Sequence, residues 1–72
     1  MTTLKQLTTE LKQSIIEAAE FHERHAEHYR FRAENASPGS YMQKELDQAR
    51  KYNMGKAKGL REALEYINEF LG

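Results

Sequence analysis

Hydrophobic positions recur along this chain with the period of a helix. Placed at about 100° per residue, Leu4, Leu7, Leu11, Ile15, Ala18, His22, His25, Tyr29, Ala33 and Ala36 fall on one stripe. Glu17, Glu20, Arg24, Glu27 and Glu34 lie opposite, as a solvated face. Ile16 and Phe31 interrupt that polar face and are candidates for a second apolar contact surface. Thr3 followed by Gln6 has capping-box spacing, so the first helix is expected over residues 3–35. In the second half Met42, Leu46, Ala49, Leu60, Leu64, Ile67 and Leu71 form a narrower stripe, with Asn53 and Lys56 on the same arc. A flank of Tyr41, Tyr52, Gly59, Ala63, Tyr66 and Phe70 widens that arc beyond what one partner helix covers. Ser40 and Gln43 repeat the cap spacing, and the second helix is expected over 41–70, ahead of Gly72.

Between the two patterns stands Asn35-Ala36-Ser37-Pro38-Gly39-Ser40. Proline cannot continue a helix and glycine supplies positive φ, so residues 36–40 are read as a turn. The fold class that follows is all-α: an antiparallel helical hairpin, one domain over residues 1–72, with helices of about 45 Å. Residues facing each other should have numbers summing to roughly 76. Leu4 would then meet Leu71, Leu11 meet Leu64, Ile15 meet Leu60 and Ala33 meet Met42, leaving His22 and His25 opposite Asn53, Lys56 and Tyr52 at mid-length.

Length and composition narrow the options. Two helices in 72 residues bury little apolar surface against the entropy of ordering them, so self-association into a dimer or tetramer, a helical bundle, is expected. The absence of cysteine removes disulfides and thiolate metal sites and leans toward the cytoplasm. Eleven basic and eleven acidic side chains cancel, which disfavours bulk attraction to nucleic acid or membrane. No apolar run has the length of a membrane span, and the opening residues are polar where a signal peptide would be apolar.

The mid-length polar layer admits three accounts. Its members satisfy one another and fix register, as a buried polar residue does in coiled coils. Alternatively, His22, His25, Tyr52, Asn53 and Lys56 converge in the oligomer on a small anionic ligand such as a nucleotide. A metal site on His22, His25 and His28 is the third, but His28 rotates off the stripe and position 26 is Ala where a zinc H-E-x-x-H motif counted from His22 needs its second His. No metal or other cofactor is expected. Gly55, Gly59 and Ala63 form a small-residue ladder in which each glycine costs about 1 kcal/mol relative to alanine. Close approach of another helix, beside Ala19, Ala26 and Ala33, is the expected compensation.

The stretch Ala49–Arg61 holds five basic residues and no acidic one. Arg50, Lys51, Lys58 and Arg61 form a candidate face for a protein partner or for nucleic acid. Asp47 four before Lys51, Glu62 four after Lys58 and Glu65 four after Arg61 are placed to neutralise it, so nucleic acid is the less favoured partner. No nucleophile stands beside a base and an orienting acid, and the carboxylates lie outward with no acid/base division of labour. The expected function is non-enzymatic.

The run Tyr52-Asn53-Met54-Gly55-Lys56-Ala57-Lys58-Gly59-Leu60-Arg61-Glu62-Ala63-Leu64-Glu65-Tyr66-Ile67 resembles the tails of small helical accessory proteins encoded by bacteriophages and prophages. That resemblance implies a protein acting in the host cytoplasm by occupying a host molecule, a class containing inhibitors of bacterial defence systems, anti-CRISPR proteins among them, and sponges for signalling nucleotides. A host protein is the expected partner, and a small anionic ligand is the alternative.

Overall fold

A computed structural model describes residues 3–71. Two helices, α1 (Leu4–Glu34) and α2 (Tyr41–Leu71), pack against each other as a hairpin with Cα extents of 54 × 21 × 12 Å. Gly72, expected just past the second helix, lies outside the described residues.

Each boundary has a local cause. At the start of α1 the Thr3 hydroxyl accepts from the Gln6 backbone N–H (3.1 Å), while the Gln6 side chain accepts from the Thr3 N–H (2.8 Å), completing the capping box. At its end the Asn35 amide donates to the Phe31 carbonyl at 2.7 Å, satisfying one of the last helical acceptors. Gly39 turns the chain with φ +74°, in the left-handed region that glycine enters without a Cβ penalty. Ser40 caps α2 by accepting from the Gln43 N–H (3.1 Å). The second capping box is not reciprocal, because the Ser40 N–H already donates to the Ser37 carbonyl and Gln43 turns to the Gly39 N–H instead (2.7 Å). The Gln43 amide also donates to the Ala33 carbonyl (3.3 Å), so one side chain ties the turn to the end of α1.

The seam differs from the stripe read at one fixed angle. Ala19, Ala26 and Ala33, seven residues apart, are the buried residues of α1, and Leu46, Asn53 and Ala57 those of α2. Ile15, His22 and Tyr29 on one side and Leu60, Leu64 and Ile67 on the other are half-buried. The seven-residue repeat is that of two helices wound about each other, and alanine there lets the backbones come close. Leu4, Leu7 and Leu11, expected in an aliphatic core at the open end, are instead exposed, Leu4 by 80%. Leu71, the expected counterpart of Leu4, is exposed as well, and so is Met42, expected opposite Ala33 at the turn end. On α1 the leucines nearest the open end have been rotated out of the seam by the alanine stripe beside them, whereas on α2 Leu46 is buried and Leu60, Leu64 and Ile67 stay at the seam. Among the described residues no large side chain is fully buried.

Candidate functional site

The polar layer at mid-length is one hydrogen-bonded pair. Asn53, 9% exposed, donates from Nδ2 to the Ala49 carbonyl (2.8 Å), an acceptor only, so the amide oxygen must face His22. His22 Nδ1 lies 2.9 Å from that oxygen and is therefore the donor. Among the described residues no buried side-chain nitrogen or oxygen lacks a partner, so the pair satisfies itself across the seam.

The other three residues of the expected layer do not join it. His25 packs on Phe21, ring centroids 4.2 Å apart, beside the seam. Tyr52 and Lys56 are exposed, with the Lys56 ammonium 5.4 Å over the Tyr52 ring. His22, His25, Tyr52, Asn53 and Lys56 thus lie at one level of the hairpin but line no common cavity. His28 is exposed, and no three His, Cys, Asp or Glu side chains among the described residues group around a metal position.

Beyond the seam, the hairpin has two unlike broad faces. One is charged and internally paired. Arg61 reaches across to Glu23 with bonds of 2.8 and 3.2 Å, and Arg50 forks onto Asp47 (2.9 and 3.0 Å), which also meets Lys51 at 3.3 Å. Arg30 bridges Glu27 and Glu34 on the same side. The hydrogen bond from Arg61 holds the Glu23 carboxyl below its ordinary range, and those from Arg50 and then Lys51 do the same for Asp47. Arg30, Ala26, Met54 and Lys58 line a shallow groove between these pairs. Of the expected neutralising contacts Asp47–Lys51 forms, whereas Arg61 leaves Glu65 for Glu23. The cross-seam pair fastens the helices to each other, which a pair within α2 would not do.

The opposite face is apolar. Rotated from Glu23 across the seam line, α1 presents Leu7, Leu11, Ala18, Phe21 and His25; rotated from Arg61, α2 presents Tyr52, Gly59, Ala63, Tyr66 and Phe70. Phe21, Tyr52, Tyr66 and Phe70 are 48–72% exposed, and Tyr66 stacks on Phe70 (centroids 6.3 Å, planes 12° apart). Gly55 and Gly59 do not meet Ala19, Ala26 or Ala33, as expected from sequence, but face outward: a Cβ at either would touch nothing within 4 Å. Ile16 and Phe31 form no joint surface. Ile16 is half-covered, Phe31 is exposed, and fifteen residues of helix separate them by roughly 22 Å. The residue that sequence reasoning missed is Phe21. Its signal was the spacing Leu7-Ser14-Phe21 beside Leu11-Ala18-His25, a second seven-residue pattern next to the alanines.

Comparison with protein-family models, curated proteins and solved structures returns no match to this chain. Among the described residues no helix is long and apolar enough to cross a membrane.

Proposed function

We propose that this chain is a non-enzymatic binding scaffold: it assembles with itself into a helical bundle and acts by stoichiometric occupation of a host protein, in the manner of a phage-encoded inhibitor or adaptor. The observation that carries this proposal is the division of the hairpin into one apolar and one charged broad face. An apolar face of aromatic side chains left open by a two-helix fold is the usual mark of an assembly surface. The charged face, held in fixed geometry by Glu23–Arg61 and Asp47–Arg50, offers a partner preorganised cations and a groove, which confer specificity more than bulk affinity. The likeness of the second half to phage accessory proteins supports the choice of a host protein as that partner.

The test is quantitative capture. The tagged chain, incubated with a bacterial host lysate, should retain one protein at a fixed molar ratio. Lys58→Glu, an exposed change in no ion pair of the hairpin, should reduce that retention about tenfold while leaving helicity unchanged. Retention of no protein at a fixed ratio would refute the partner reading, and retention indifferent to Lys58→Glu would refute the charged face as its seat.

A further inference from the structure

The apolar face and the distribution of charge along the hairpin together specify what covers that face. We infer that it is a second copy of this chain, laid face to face about a two-fold axis perpendicular to the helices at mid-length, near Phe21 and Lys56, so that α1 runs antiparallel to α1 of the other copy and α2 to α2. This inference rests on the self-assembling part of the proposed function and names its symmetry.

Three observations converge. The first is area: a face of 54 × 21 Å has a plane area of roughly 1,100 Å², above the ~800 Å² per partner typical of stable complexes. Among the described residues the hairpin alone buries below one-tenth exposure only four alanines and Leu46 of its apolar side chains, so it needs that cover.

The second is the pair of outward glycines. An alanine at Gly55 or Gly59 meets empty space, so the hairpin itself does not require glycine there and forgoes helix propensity by having it. Both lie within about one turn of the inferred axis, where two α2 helices come closest and where room is needed for the two Lys56 stems to leave toward water.

The third observation sets the direction. The half of the hairpin nearest its open end, residues 3–20 and 57–71, holds six carboxylates and four cations; the half nearest the turn, residues 21–56, holds five carboxylates and seven cations. Each hairpin is therefore acidic at one end and basic at the other by two charges. Stacking two copies in the same direction sets like ends together, and reversing one sets unlike ends together. Individual positions agree. Along the outer edge of the apolar face on α1 stand Glu10, Glu17 and Arg24, seven residues apart on one line. A two-fold at Phe21 brings Glu17 to the second copy's Arg24, and the contact occurs twice. By the same operation Glu62 and Glu69 of α2 approach the second copy's Lys51 and Lys44.

The experiment is sedimentation equilibrium on the full chain with charge reversals. Glu17→Arg and Arg24→Glu should each weaken the dimer about tenfold, and the double reversal should restore it. Residues 17 and 24 are two turns apart on one helix and do not touch, so rescue can arise only between copies. Since the chain lacks cysteine, Phe21→Cys should form a disulfide-linked dimer on mild oxidation while Leu7→Cys should not. Gly59→Ala should weaken association although it favours the helix. A chain that is monomeric at every concentration reached would overturn both the two-fold and self-assembly. A dimer with neither rescue nor cross-link at position 21 would overturn the two-fold alone. Cover of the face by another protein, a nucleic acid or lipid in place of a second copy would overturn the inference as well.

Discussion

If the His22–Asn53 pair holds the seam, removing either partner should cost more than its atoms, and removing both should recover the difference. Asn53 is nearly buried and its oxygen has one donor, His22 Nδ1, at 2.9 Å. Truncating His22→Ala leaves that oxygen facing a gap, and Asn53→Ala leaves the imidazole N–H without its acceptor. A buried group left unpaired costs about 1–3 kcal/mol, and the net worth of one neutral hydrogen bond is about 1 kcal/mol. Because His22 is only half-buried, water partly relieves each single variant, so the low end applies: about 1–2 kcal/mol for each, with a coupling of about 1 kcal/mol between them.

The assay is urea unfolding followed by far-ultraviolet circular dichroism on all four members of the cycle. Protein concentration is held fixed, since assembly would otherwise shift the midpoints. With a urea slope near 1 kcal/mol per molar for a chain this small, each single variant should lose about 1–2 M in midpoint. A coupling below about 0.3 kcal/mol, with the double variant equal to the sum of the singles, would refute the claim that the pair acts across the seam. Replacing both residues by leucine sharpens the case. It completes the run Leu46, Leu60, Ile67 on α2, and should leave stability equal or higher while relaxing register, since an all-apolar seam no longer distinguishes one alignment from a neighbouring one. Duplicated backbone amide resonances in that variant, absent from the parent, are the expected signature.

Other substitutions separate the remaining devices. Ala26→Leu at the seam should destabilise by about 1–3 kcal/mol in the same unfolding assay, because the alanine column sets how closely the helices pack. Gly39→Ala should cost about 1 kcal/mol from its positive φ alone, since a Cβ there meets nothing within 4 Å. Thr3→Ala removes the hydroxyl half of the capping box and should cost about 1 kcal/mol, seen first as faster amide exchange in the opening turn. Acid should loosen the charged face in a defined direction: Glu23 and Asp47 titrate below their ordinary values of 4.5 and 3.8, so their stabilisation is full above those values and is lost as pH falls through the depressed ones. Melting temperature should therefore hold steady above about pH 5 and decline below the ordinary carboxylate range, with a shallower decline in Glu23→Gln.

What the sequence disclosed and what it withheld follow from the range of the forces involved. The caps at Thr3 and Ser40, the Gly39 turn and the two helices depend on neighbours a few residues apart, and their chemistry is written locally. The meeting of His22 with Asn53 was also legible, because a polar residue interrupting an apolar pattern on each helix at matching distance from the turn leaves few other alignments. The rotation of α1 was not, whereas on α2 Leu46, Asn53, Leu60, Leu64 and Ile67 lie at the seam as expected. Both carry two adjacent apolar stripes, and a fixed 100° step weights leucines heavily and alanines lightly, so Leu4, Leu7 and Leu11 drew the expected seam toward themselves. Packing inverts that weighting, since what brings two backbones together is the small residue that permits approach, here Ala19, Ala26 and Ala33. Rotating α1 onto its alanines also carries His25 to the broad face beside Phe21, the side on which Tyr52 and Lys56 of α2 lie exposed. With Ala19, Ala26, Ala33 and Ala57 inward and Leu4, Leu7, Leu11, Phe21, Tyr66 and Phe70 outward, the hairpin leaves much apolar surface open, which is the premise of the proposed self-assembly. The open face of this hairpin is thus the physical counterpart of the deficit that 72 residues without cysteine already implied.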